Sequence, residues 1–346
     1  MRTELISTLS QPEAGTRRGA EIIRAGGLVA FPTETVYGLG ANGLDEEAVL
    51  RIFAAKGRPA DNPLILHVSR KSDVRGLWRR MPRQAQTLMD AFWPGPLTLI
   101  APKSPEVPDA VTAGLDTVAV RMPLDKTARM LIAKAERPIA APSANRSGRP
   151  SPTTTAHVLE DLEGRIDLIL DGGPCRYGVE STVLSLAGEP TLLRPGAITR
   201  EMLEAAIGPL RLSDALLAPL KAGETAASPG MKHQHYAPDA EVLVVCGEPA
   251  AVARRIISLY REAEMQDRSC EIAATEQTKG FYKGKKYVII GDRQHPETLC
   301  GNLFSALRDM DQRAELILAE GISTDNMGLA YMNRLLRAAG FQVIET

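Results

Sequence analysis

At 346 residues, with 44% hydrophobic and 24% charged side chains, the chain has the composition of a globular protein with a sizeable core and length enough for two domains. Its 41 basic and 42 acidic residues leave a net charge of −1, which excludes a generally basic nucleic-acid coat or a strongly acidic tail, and an aromatic content of 4% disfavours a single-strand binder built on stacked rings. Cys175, Cys246, Cys270 and Cys300 match no C-x-x-C or zinc spacing and read as free thiols of a reducing, cytoplasmic setting; Met1–Glu4 carries no signal core, and no apolar run approaches the roughly 18 residues of a membrane span.

The first part of the chain alternates strand and helix signals. Arg17 to Ala25 reads as a helix stopped by Gly26 and Gly27, and Leu28 to Phe31 as a strand stopped by Pro32. Asp45 can cap a helix to about Ala55, whose Val49, Ile52 and Phe53 recur at helical spacing. Leu64 to Val68 is a strand, and Arg83 to Phe92 a helix closed by Trp93 to Pro96. Further strands are expected at Leu97–Ala101, Val118–Arg121, Ile139–Ala141, Leu168–Leu170, Thr182–Leu186 and Thr191–Leu193. The pattern predicts an α/β domain over residues 1–210 with one twisted mixed sheet. Residues 211–238 are Ala-, Gly- and Pro-rich without period and read as a linker. Residues 239–346 restart a simpler pattern. Strands are expected at Val242–Cys246, Glu271–Ala274, Tyr287–Ile290 and Glu315–Ala319, and helices at Ala250–Glu262, Leu303–Met310 and Leu329–Ala339. This predicts a small Rossmann-like unit, but its first loop, Cys246 to Pro249, lacks G-x-G-x-x-G, so no dinucleotide site is expected there.

Chemistry-bearing residues collect at predicted strand ends of the first domain. Pro32 to Gly40 (PTETVYGLG) puts two hydroxyls, a carboxylate and a phenol in one turn; Lys56, Arg58 and Asn62 follow the second helix; His67, Arg121 and Arg194 end strands; Ser143, Asn145 and Ser147 follow another. Loops beyond strand ends converge in open α/β sheets, and several cations with Ser and Asn donors suit a polyphosphate, here without a P-loop. Taken singly, each piece is more often a helix exit, an ordinary turn or a structural histidine. The sequence contains no G-x-S-x-G elbow and no H-E-x-x-H; His233 and His235 lack further metal ligands.

In combination these motifs carry more. The stretch Pro32–Gly40, the Lys56-x-Arg58 turn with Asn62-Pro-Leu, and Ser143-x-Asn145 with Ser147-Gly148 resemble the YrdC-domain family; Ser228 to Pro238 (SPGMKHQHYAP) and the segment after it resemble the long, two-domain form of that family. The resemblance runs nearly end to end. It implies a threonylcarbamoyl-AMP synthase, which condenses L-threonine, bicarbonate or CO2, and ATP to L-threonylcarbamoyladenylate and pyrophosphate. Separate transferase machinery then modifies the adenosine beside the anticodon of tRNA. Carried over by position, the resemblance places Lys56, Arg58, Ser143 and Asn145 around the phosphates. It places Asn62, Thr117, Ser151, Arg194 and Tyr236 on ATP or the adenylate, and Thr35, His67, Arg121, Ala141 and Ser181 on threonine. It implies Mg2+ arriving with ATP and no dedicated protein metal site, a 211–238 lid, and weak tRNA contact at most. Two competing readings are an RNA-binding module, against which neutrality and few aromatics count, and a hydrogenase-maturation type of domain, which carries zinc-finger-like cysteines that this chain lacks.

Overall fold

The computed structural model describes residues 2–218 and 236–346, which divide into two compact units. The first comprises the chain to Ser147 and Ser151–Leu216; the second comprises Gly148–Pro150, Leu217, Ala218 and Tyr236–Thr346. The segment Ser228 to His235, with most of the expected lid, lies outside the described residues.

In the first unit the chain runs β1 (Glu4–Ser7), α1 (Pro12–Arg24), β2 (Val29–Phe31), β3 (Gly38–Asn42), α2 (Glu46–Lys56), β4 (Ile65–His67), α3 (Ala85–Phe92), β5 (Leu97–Pro102) and α4 (Asp109–Thr112). It continues through β6 (Thr117–Arg121), α5 (Lys126–Ala135), β7 (Ile139–Ala140), α6 (Thr155–Leu162), β8 (Leu168–Asp171), β9 (Thr182–Ser185), β10 (Thr191–Arg194), α7 (Arg200–Ile207) and β11 (Arg211–Leu212). These strands form one mixed sheet in the order β1-β8-β2-β3-β7-β4-β6-β5-β9-β10-β11.

Local chemistry explains the elements nearest the site. Phe31 ends β2, and the chain returns antiparallel as β3 with Phe31 opposite Gly38. The last third of the stretch expected to be a turn, Gly38–Gly40, is therefore strand, and the turn shrinks to residues 32–37. Gly40 is required there, because a Cβ would lie 2.7 Å from the side chains of both Phe31 and Ile139. In α2 the Asp45 carboxylate accepts the Ala48 N–H at 3.1 Å, and Gly57 in the left-handed region ends the helix at Lys56. Helix α5 buries Ala128, Leu131, Ile132 and Ala135, a one-face spacing, in a core shared with Ile22, Ile23, Val29, Phe31 and Leu170. At the far edge Arg211–Leu212 pairs parallel to β10, so the sheet continues past residue 210 into what composition alone marks as linker.

In the second unit β12 (Glu241–Cys246), α8 (Pro249–Met265), β13 (Cys270–Thr275), β14 (Tyr287–Gly291), α9 (Pro296–Asp311), β15 (Leu316–Glu320), α10 (Gly328–Ala338) and β16 (Val343–Glu345) form a five-stranded, wholly parallel sheet of order β14-β13-β15-β12-β16 with its helices. Helix α8 lays Val252, Ala253, Ile256 and Tyr260 against Val245, Ile272 and Leu318. The buried Glu320 carboxylate accepts from Thr275, Thr278, Tyr282 and Arg293, which satisfies a charge that would otherwise be costly in this core.

Candidate active site

Three backbone segments of the first unit interlock where α2 ends. The Ala144 N–H donates to the Tyr37 carbonyl at 2.8 Å, the Ser147 N–H donates to the Lys56 carbonyl at 2.9 Å, and Gly38 bridges Ser143. Lys56 is 3% exposed, and its ammonium donates to the carbonyls of Ser143 (2.6 Å) and Asn145 and to Asn145 Oδ1 (3.3 Å). Ser143 Oγ donates to the same Oδ1 at 2.6 Å, and Asn145 Nδ2 donates to the Arg146 carbonyl. The structure thus joins Lys56, Ser143 and Asn145 into one cluster. The ammonium is spent on holding the turn, so any phosphate would meet a turn of fixed shape bearing a buried positive charge. Arg58 follows directly and is half-buried; Asn62 is fully buried just before β4.

A second cluster is assembled by strand register. His67 lies opposite Arg121, Arg121 opposite Thr98, Thr98 opposite Val183, and Val183 opposite Arg194, one row across β4, β6, β5, β9 and β10. Arg121 Nη1 donates to Thr35 Oγ1 (2.9 Å), Nη2 to Glu34 Oε1 (2.5 Å), and Nε to the Gly95 carbonyl (3.2 Å). A guanidinium has five N–H groups, so two remain to be directed at a ligand. Arg194 donates through Nε to the Ser181 carbonyl and through Nη2 to Ser181 Oγ, which lies 2.7 Å from Thr98 Oγ1. Thr35, His67, Arg121, Ser181 and Arg194 therefore share one connected row. Ala141 is held beside it by its N–H to the Ile65 carbonyl, and Ser151 donates to Glu180. Thr117 opens β6 four residues before Arg121, a separation of about 13 Å along the strand. Tyr236 belongs to the second unit, where its buried ring lies 5.0 Å from that of Phe304.

Electrostatics follow burial. Desolvation pushes the Glu34 carboxyl up, but the Arg121 guanidinium outweighs it and holds the group below the ordinary carboxylate range. Burial, helped by the Arg121 charge, lowers His67 to about 3, so its imidazole is neutral at physiological pH. The unfolded chain takes up this proton near pH 6.5 and the folded one does not, so stability present above that pH is lost as it falls toward about 3, at about 1.4 kcal/mol per unit. Unfolding titrations of the parent and His67→Gln proteins should therefore converge by that slope between pH 6 and 4; a constant gap would show His67 protonated in the fold. Burial also pushes the Cys175 thiol up to about 12, leaving it unreactive. The Tyr37 phenol is a structural anchor, donating to the Gly173 carbonyl at 2.7 Å.

Thr98 and Glu180 are members of these clusters that sequence reading did not single out, and Glu34 was read as a chemistry-bearing carboxylate of its turn without a role. Glu34 stands inside the PTETVYGLG motif itself, where a carboxylate between two threonines and near no basic neighbour was the available signal. Thr98 and Glu180 carried none. Among the described residues no three His, Cys, Asp or Glu side chains gather to hold a metal ion, and no helix is long and apolar enough to cross a membrane.

Comparison with known proteins identifies the family. The Sua5/YciO/YrdC family model, described as Telomere recombination, matches residues 21–196, and the model for the threonylcarbamoyl-AMP synthase C-terminal domain matches residues 198–340. A threonylcarbamoyl-AMP synthase of Pyrococcus abyssi is 50% identical over 331 residues, 95% of each chain, and one of Bacillus subtilis 46% over 344 residues, covering 99% of this chain and 97% of that one. The crystal structure of P. abyssi Sua5 complexed with L-threonine superimposes with a TM-score of 0.93 at 47% identity over 100% of both chains. With two family models placed end to end and such identity along almost its whole length, the chain belongs to the threonylcarbamoyl-AMP synthase family, enzymes of the nucleotidyltransferase type, in the form that joins a YrdC-like domain to a Sua5 C-terminal domain.

Proposed function

We propose that the enzyme condenses L-threonine, bicarbonate or CO2, and ATP to L-threonylcarbamoyl-AMP and pyrophosphate, and that the product supplies the tRNA threonylcarbamoyl transferase machinery modifying the adenosine beside the anticodon. The observation that carries this reading is the pair of clusters in the first unit, an arginine with two N–H groups to spare in a row of hydroxyls, and a lysine-braced Ser-x-Asn turn. The P. abyssi relative that was crystallised with L-threonine supports the amino-acid half.

On this reading Arg121 grips the threonine carboxylate with its remaining N–H groups. Thr35, Ser181 and Ala141 shape the pocket, and neutral His67 offers a hydrogen bond without adding charge. The threonine nitrogen attacks the carbon of CO2, giving a carbamate and releasing a proton. A carbamate oxygen then attacks the α-phosphorus while the bond to the bridging oxygen of pyrophosphate breaks. No protein nucleophile enters; the chain contributes position and fixed charge. Lys56 and the 143–145 turn, with Arg58, face the phosphates, and Asn62, Thr117, Ser151, Arg194 and Tyr236 are assigned to ATP or the adenylate. Mg2+ enters as part of the ATP substrate.

Pyrophosphate release measured with ATP and bicarbonate tests the proposal. Release should require L-threonine, falling at least ~100-fold without it. Release indifferent to threonine would refute the reading.

A further inference from the structure

A cavity of about 840 Å3 opens in the first unit between α5 and the segment after β4. Its size is that of a small-molecule site. None of the residues assigned above to the phosphates, the adenylate or threonine lines it. The catalytic reading therefore leaves it unassigned.

Its walls have two characters. Leu44, Leu77, Met130 and Pro138 make an apolar surface. Arg129, on the outward face of α5, also lines it, and its Nε is shielded from solvent without a hydrogen-bond partner among the described residues. A shielded guanidinium N–H of this kind costs free energy until an acceptor meets it. The charges around the cavity favour that acceptor being an anion. Arg70 is paired with Asp73 at 3.1 Å, and of the rest Lys126, Arg129 and Arg137 outnumber Glu106 and Glu136.

We propose that this cavity is a second ligand site, for a small molecule with an apolar body and a single anionic head received by Arg129. It goes beyond the synthase reaction and does not depend on how that reaction is assigned.

Fluorescence titration of the full chain with anilinonaphthalene sulfonate, an apolar ring system bearing one anion, tests the site. Its neutral counterpart N-phenylnaphthylamine serves as comparison. One saturable sulfonate site is expected. Arg129→Gln should weaken the sulfonate at least ~10-fold and leave the neutral probe unmoved. Ala133→Trp, at an exposed position on the cavity wall, should abolish both, with melting temperatures unchanged. Failure of the sulfonate to bind, binding indifferent to both substitutions, or an equal Arg129→Gln effect on the two probes would overturn the proposal.

Discussion

Replacing Arg121 by methionine is expected to raise the KM for L-threonine roughly 30- to 160-fold while leaving the KM for ATP within about threefold. A bidentate, charge-assisted pair with a carboxylate supplies about 2–3 kcal/mol, which converts to that factor. The arginine is prepared for this by its neighbours, because Glu34, Thr35 and the Gly95 carbonyl hold three of its N–H groups and fix the direction of the others. Removing it strands the Glu34 carboxylate, 6% exposed, without its counter-charge, a loss of about 3–5 kcal/mol in stability. The double substitution Arg121→Met with Glu34→Gln should recover most of that stability and none of the threonine affinity. Steady-state kinetics and thermal melts on the three proteins separate the two effects. Equal rises in both KM values, or a double variant that regains threonine affinity, would remove Arg121 from the threonine site.

Lys56→Met should lower turnover by about 10^2–10^3, the usual cost of deleting one preorganised electrostatic group. Two losses combine here. The carbonyls of Ser143 and Asn145 lose their shared donor, so the turn loses its shape, and a buried positive charge disappears beside the proposed phosphate position. Lys56→Arg keeps the charge but cannot place a compact ammonium between those carbonyls, so it should recover only part of the rate. Pyrophosphate release measured with a folded Lys56→Met protein retaining more than about a tenth of parental turnover would contradict the assignment.

How far these residues could be read from the sequence depends on the range of the interaction that places them. Helix α2 was legible with its end, because Asp45 and Gly57 act within a turn of the residues they cap, and Lys56 follows as its last residue. The strand Val29–Phe31 was legible from its apolar run and Pro32. The return strand Gly38–Asn42 was not: its glycines weaken strand propensity, and they are tolerated only because Phe31 and Ile139 occupy the space a side chain would need. Helix α5, though amphipathic at ordinary spacing, was passed over, as was the short β1. At the other edge, Arg211–Leu212 looks like linker until β10 supplies its ladder.

Within the site, the motif residues that bear charge and hydroxyl groups were visible, but not their partners. That Glu34 pairs with Arg121 across 87 positions, or that Thr98 bridges Arg121 and Ser181, follows from strand order in the sheet, which local propensity does not encode. By itself the sequence determined the type of most elements, the turn chemistry and the inventory of groups able to meet a nucleotide and an amino acid, since those depend on neighbours a few residues apart. Only the tertiary structure decided that His67, Arg121, Thr98 and Arg194 stand in one row, that Lys56 is spent bracing a turn, and that Arg129 lines a cavity with residues of the segment after β4, because each depends on register and burial between segments far apart in the chain.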